Sequence, residues 1–207
     1  MLADEILKEE LLSNGITREV DIIWIDDVDE FTYQENADGC IDLLFDNTKE
    51  RIELLKKLSS QPVIVNSVID TLEEINAPFV RINAWPGFLK RNVAEVCTNN
   101  EVNKNEAEKI LSLINRKAEW VPDVKGFISA RVVSMIINEA YFALEEKVST
   151  KEEIDIAMKL GTNYPYGPFE WSKKIGLKNI AVLLTELSLT EKRYQPASLL
   201  LKESKEL

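Results

Sequence analysis

The chain contains no histidine. No imidazole is therefore available as a general base near neutral pH, and the commonest nitrogen ligand for a transition metal is missing too. Glycine is scarce: there are seven, and only Gly15 precedes Gly39. A turn that cradles a pyrophosphate needs two or more glycines to let the backbone reach the ligand, so none can be built ahead of Gly39. Cysteine occurs twice, at Cys40 and Cys97, each in an apolar strand-like run. Buried free thiols are the better reading, over a disulfide or a ligand pair. No apolar run approaches a bilayer span, and residues 1–15 have neither the basic start nor the apolar core of a signal peptide. Positive charge is in deficit: 25 Lys and Arg face 36 Asp and Glu, a net charge of −11. That balance argues against a nucleic acid or an anionic membrane as partner. A cytoplasmic protein is expected.

What is present is an ordinary globular composition, 45% hydrophobic and 29% charged, in 207 residues. That is enough for one large domain or two small ones. Leu2–Leu12 reads as an amphipathic helix ended by Asn14-Gly15, and Val20–Ile25 as a β-rich run. Short apolar runs at Cys40–Phe45 and Pro62–Val68 read as strands buried on both faces, and Phe79–Trp85, Val93–Cys97 and Ala118–Val121 continue the series. Helical spacing falls between them at Thr48–Leu58, Thr71–Ile75 and Asn103–Arg116. This alternation predicts an α/β layer with a mostly parallel sheet over residues 1–122. An all-helical domain is expected over 123–207.

That second part is organised around Gly126–Leu177. At 100° per residue, a helix over Phe127–Val148 places Val132, Val133, Met135, Ile136, Ile137, Ala140, Tyr141, Ala143 and Leu144 over roughly two-thirds of its circumference. Arg131, Ser134, Asn138 and Glu145 form a narrow polar stripe. So wide an apolar face must be covered on several sides, which makes a subunit interface plausible. Thr150 or Ser149, with Glu152 or Glu153, can cap the next helix, and Gly161 is placed to end it. Pro165, Gly167 and Pro168 then form a rigid turn whose Phe169 and Trp171 plug the space between helices.

Three segments, GFISARVVSMIINEA, EEIDIAMKLG and YGPFEWSKKIGL, resemble the C-terminal helical domain of the NAD-dependent 3-hydroxyacyl-CoA dehydrogenases. The family pattern is a G-F-x-x-N-R helix start, a later N-E-A, an I-D-x-A-M-x-x-G helix and a P-x-G-P-F-E turn followed by I-G-L. The resemblance implies a helical domain of the 6-phosphogluconate dehydrogenase C-terminal-like type that also makes the dimer interface, with Ile136, Ile137 and Tyr141 as candidates for core or contact. It extends more weakly back through CIDLLFDNTKERIELLKKL, IVNSVIDTL and VRINAWPGFLKRNVAEV, which implies a Rossmann-like first half. The opening strand, glycine turn and helix of that fold are expected to be absent or replaced by Leu2–Leu12. With them goes the usual NAD site, so no cofactor is expected.

The resemblance also locates a site. The family oxidises a 3-hydroxyl by hydride transfer to NAD, with a histidine as base and a glutamate orienting it. Those positions fall on Asn83 and Glu95, the separation the family keeps. Its active-site asparagine falls on Ala130, beside a retained Arg131, and its loop serine on Val68, with Ser67 one place off. An amide cannot take a proton in this pH range. Glu95 is either a surviving active-site carboxylate or, the preferred reading, a partly exposed strand residue. Asp42 and Asp46 invite a metal, but strand-end acids usually lie on the surface, and no metal is expected without histidine or a third converging acid. The first expectation is thus a catalytically degenerate relative that dimerises or binds a ligand. An active NAD-dependent dehydrogenase of fatty-acid metabolism is the alternative, and an acyl-CoA-binding module a third, although the net charge sets an unfavourable field for so anionic a ligand.

Overall fold

Among the described residues, five short strands form one sheet in the order they occur along the chain: β1 Cys40–Asp42, β2 Val63–Asn66, β3 Val80–Ile82, β4 Val93–Cys97 and β5 Lys117–Trp120. Only the β3–β4 pair is antiparallel; the other three are parallel, as the alternating pattern predicted. The computed structural model describes residues 1–17, 20–34, 36–58 and 61–206. The chain divides into two compact units, Met1–Phe127 and Ile128–Leu207.

In the first unit the crossovers are helical: α2 Lys49–Lys56, α3 Leu72–Ile75 and α4 Glu101–Leu113. Each starts where a side chain satisfies an open N–H: Thr48 accepts from Arg51, Thr71 and Glu74 close a capping box, and Asn100 accepts from Val102 and Asn103. Ahead of β1 lies α1 Glu5–Leu12. The expected strand over Val20–Ile25 does not form. Only Ile25 pairs, through a parallel bridge to Leu2, which also bridges Asp42. Leu2, α1 and Ile25 therefore make a minimal parallel β-α-β unit beside β1, its first strand reduced to one bridging residue. The turn from Leu2 into α1 is Ala3-Asp4, and an Asp4 carboxylate oxygen accepts the Leu7 N–H at 2.8 Å. At the other end of α1, the buried Arg116 guanidinium donates to the Glu10 and Leu11 carbonyls, neutralising the helix C-terminus.

The second unit is all helix, as expected: α5 Ser129–Glu145, α6 Lys151–Thr162, α7 Pro168–Ile175, α8 Leu177–Ser188 and α9 Ser198–Glu203. Thr150 and Glu153 form the capping box of α6. Gly161 does not end that helix. The chain stays helical to Thr162 and Asn163 takes the left-handed position, φ 55°. The turn before α7 is fastened by Asp155 of α6, whose carboxylate accepts the Phe169 and Glu170 N–H groups at 2.8 and 3.2 Å. A Cβ on Gly167 would lie 2.3 to 2.5 Å from Asp155 atoms, so only glycine lets α6 approach so closely.

The faces of α5 differ from the helical-wheel expectation. Ser134 and Asn138, placed in the polar stripe, are buried, whereas Val132 is 51% exposed. Asn138 turns inward because it serves backbone: it donates to the Gln195 carbonyl and accepts the Ala197 N–H. Ile137 and Tyr141 are buried within the chain, which makes them core residues, and only Ile136 of the three interface candidates keeps partial exposure.

Candidate functional site

β3 and β4 carry the pair the sequence pointed to. Asn83 lies one residue beyond β3, where the antiparallel ladder continues: its N–H donates to the Glu95 carbonyl at 3.0 Å, and its Nδ2 donates to Glu95 Oε2 at 2.9 Å. Asn83 is 2% exposed and Glu95 7% exposed, so Glu95 is not the half-solvated strand residue expected of it. The alternation of β4 explains this. Glu95 lies between Ala94 and Val96 in a strand covered on both faces, so its side chains beyond Val93 are buried whichever face they point to. Arg91 lies close enough that the Glu95 charge supports its protonated form; burial acts first, lowering the Arg91 pKa, and outweighs that support.

Asn83 Oδ1 has no hydrogen-bond partner among the described residues, although it is buried. Its orientation follows from chemistry, because a carboxylate only accepts and so the amide must present its NH₂ to Glu95. The neighbouring strand ends are fully committed. Asn66, closing β2, donates to the Leu43 carbonyl and accepts the Ala84 N–H. Ser67 donates to the Asp70 carbonyl at 3.0 Å, and the Val68 carbonyl accepts the Gly126 N–H at 2.7 Å. Ala130 is buried in α5 with no polar atom to offer.

Asp42, read as a surface acid at a strand end, is fully buried and forms a two-pronged ion pair with Arg51, at 2.8 and 2.7 Å. Burial pushes its carboxyl up, against the opposing pull of Arg51. Asp46 stays exposed and accepts from Thr48, so the two acids do not converge. Sequence reasoning missed Arg81. This fully buried cation on β3 donates to the Ser67 and Val68 carbonyls, pairs with Asp123 and stacks on Phe127 with 4.7 Å to the ring centroid. It holds the loop after β2 in place beside the Asn83 position. The signal was a lone charge inside the apolar run VRI, since a buried cation must be paired. Both cysteines are buried free thiols, and burial drives Cys97 up to about 12.

Residues 126–206 match the family described as 3-hydroxyacyl-CoA dehydrogenase, C-terminal domain. The helical second unit is thus similar to the C-terminal domain of the 3-hydroxyacyl-CoA dehydrogenases. The chain is 38% identical over 125 residues to 3-hydroxyadipyl-CoA dehydrogenase of Escherichia coli K12, across 59% of this chain and 26% of that protein. A crystal structure of 3-hydroxybutyryl-CoA dehydrogenase from Escherichia coli K12 superposes with a TM-score of 0.61 at 31% identity, over 69% of this chain and 31% of that one. A pyridine-carboxylic-acid 5-dehydrogenase titled an NAD+ dependent dismutase shares the fold, with a TM-score of 0.65 at 17% identity over 98% of this chain and 71% of that one. The chain thus spans about a quarter to a third of the length of the first two relatives.

These matches overturn the expectation that no cofactor is involved. The family is one of dehydrogenases, its relatives here carry that name, and a neighbour of the same fold is titled NAD+ dependent. The scarcity of glycine bears only on the first turn, which Asp4 closes with its own carboxylate. Among the described residues, no helix is long and apolar enough to cross a membrane.

Proposed function

We propose that this 3-hydroxyacyl-CoA dehydrogenase homologue binds an acyl-CoA-type ligand without oxidising it, and that it does so as a homodimer in the cytoplasm. One observation carries the loss of turnover: the base position is an amide, Asn83, held at 2.9 Å by Glu95. Removing the proton of a 3-hydroxyl as hydride leaves requires a group that accepts it near neutral pH, and an amide does not. Glu95, which would steady a base, steadies the amide instead. The buried Asn83 Oδ1, left without a donor beside this pair, supports a binding role, because an unpaired buried acceptor costs free energy that a bound ligand can recover. The partly exposed α5 surface around Val132, Met135 and Ile136 supports the dimer.

Active dehydrogenation is the second reading, favoured by relatives that are named dehydrogenases at 38% and 31% identity. It needs a proton acceptor other than the Asn83 amide. The two separate in one assay, oxidation of NADH with acetoacetyl-CoA by the purified protein. The expected outcome is a rate no higher than that of the reagents alone. Steady turnover dependent on the protein overturns the binding reading.

A further inference from the structure

The unpartnered Asn83 oxygen sets what the site can recognise. An acceptor buried away from water without a donor costs free energy, and native structures leave few such atoms unexplained. Its neighbours cannot repair it. The Asn83 backbone N–H and one Nδ2 N–H go to Glu95, Asn66 is spent on the Leu43 carbonyl and the Ala84 N–H, and the Ser67 hydroxyl proton goes to the Asp70 carbonyl. Flipping the amide would set Oδ1 against the Glu95 carboxylate, two acceptors face to face. The orphan is therefore locked in, just past the carboxyl end of β3, on the side of a parallel sheet where ligands bind.

We infer that Asn83 Oδ1 is a hydrogen-bond acceptor for a ligand hydroxyl, so that the site selects the 3-hydroxyacyl form of a thioester over the 3-oxoacyl form. The inference rests on the proposed acyl-CoA binding and deepens it. A hydroxyl donates its proton to Oδ1 and satisfies it. A keto oxygen at the same place is a second acceptor, which leaves Oδ1 unpaired and adds repulsion between two negative ends of dipoles. An imidazole at this position could serve either form, since it donates in one protonation state and accepts in another. The Oδ1 of an amide pinned through one N–H to Glu95 can only accept, and a keto oxygen leaves it unsatisfied. The substitution of asparagine thus converts a site for interconverting the two forms into one that tells them apart.

The test is calorimetric titration of the full chain, without nucleotide, with 3-hydroxybutyryl-CoA and with acetoacetyl-CoA, which differ only at the 3-position. The hydroxy form is expected to bind about tenfold or more tightly. Equal affinity, or preference for the keto form, overturns the selection while leaving acyl-CoA binding intact. Binding of neither overturns both. Asn83→Leu, close in size but without the acceptor, is expected to erase the preference by weakening the hydroxy form alone. A preference that survives in a folded N83L protein assigns it to another residue and overturns the inference.

Discussion

Two glycines in the second unit carry opposite loads. Gly161 lies in the last turn of α6, where a Cβ meets nothing within 4 Å, whereas a Cβ on Gly167 lies 2.5 Å from the Asp155 Cα, a backbone atom that cannot swing aside. Gly161→Ala is expected to stabilise by about 0.5–1 kcal/mol, because the helix keeps its geometry and the unfolded chain loses freedom. Gly167→Ala is expected to destabilise by about 2 kcal/mol or more, since it pushes α6 away and loosens the two N–H groups that Asp155 holds. Urea denaturation of both variants checks the pair; equal effects would mean the turn yields freely. At this scale the sequence was legible wherever a residue type has one job. The capping box before α6 was signalled by spacing, with Thr150 and Glu153 among the candidates, and the Asn83–Glu95 pair by the family resemblance. Arg81 and Asp42 were not legible, because their partners, Asp123 and Arg51, are chosen by the folded chain and not by any local pattern.

Elements were read best where burial is uniform. Strands buried on both faces announce themselves as largely apolar runs, and β1 to β4 were found that way, while β5 was found although its residues are exposed or half-buried. Helix faces were read less well. A wheel sorts residues by polarity, and on α5 it assigned Asn138 to solvent, although that side chain is needed 57 and 59 residues away by Gln195 and Ala197. The Val20–Ile25 run failed for the converse reason: its composition suits a strand, but only Leu2 is there to pair with it. The last helix, α9, is fastened by one titratable cluster. Tyr141 Oη donates to Glu203 at 2.7 Å, and Lys151 reaches both Glu203 oxygens at 2.8 and 2.6 Å. Burial on its own would raise the Glu203 carboxyl; Lys151 and Tyr141 outweigh it, and the pKa lies below the ordinary glutamate value of 4.5. A depressed carboxyl contributes stability that is present above its unfolded pKa and lost as pH falls through the folded one. Stability is therefore expected to decline between about pH 5 and 3, with Glu203→Gln less stable at pH 7 and flatter over that range. Thermal unfolding followed across the range checks this, and an unchanged acid slope in E203Q would release Glu203 from the account.

At the scale of the whole molecule the proposed dimer is the remaining question, and the structure narrows where to look. Ile137 and Tyr141 are occupied inside their own chain, so what α5 can offer a second copy is Val132, at 51% exposed, with the half-buried Met135 and Ile136, rimmed by Arg131 and Glu139. A two-fold contact uses the same patch twice, so opposite charges at its rim can cross-pair and each side chain counts double. Apolar area contributes about 25 cal/mol per Å², so this patch alone is too small for a stable interface and must be the centre of a larger one, on the order of 1,200–2,000 Å² in total. Light scattering at micromolar concentration is expected to give twice 23.6 kDa for the native protein. Val132→Glu places a carboxylate at the centre of the contact, where its copy faces it across the two-fold axis, but leaves the fold of each chain alone because the site is already half in solvent. The variant is expected to scatter as a monomer with an unchanged melting temperature. A native protein that is monomeric, or a V132E protein that remains dimeric, removes this face of α5 from the interface.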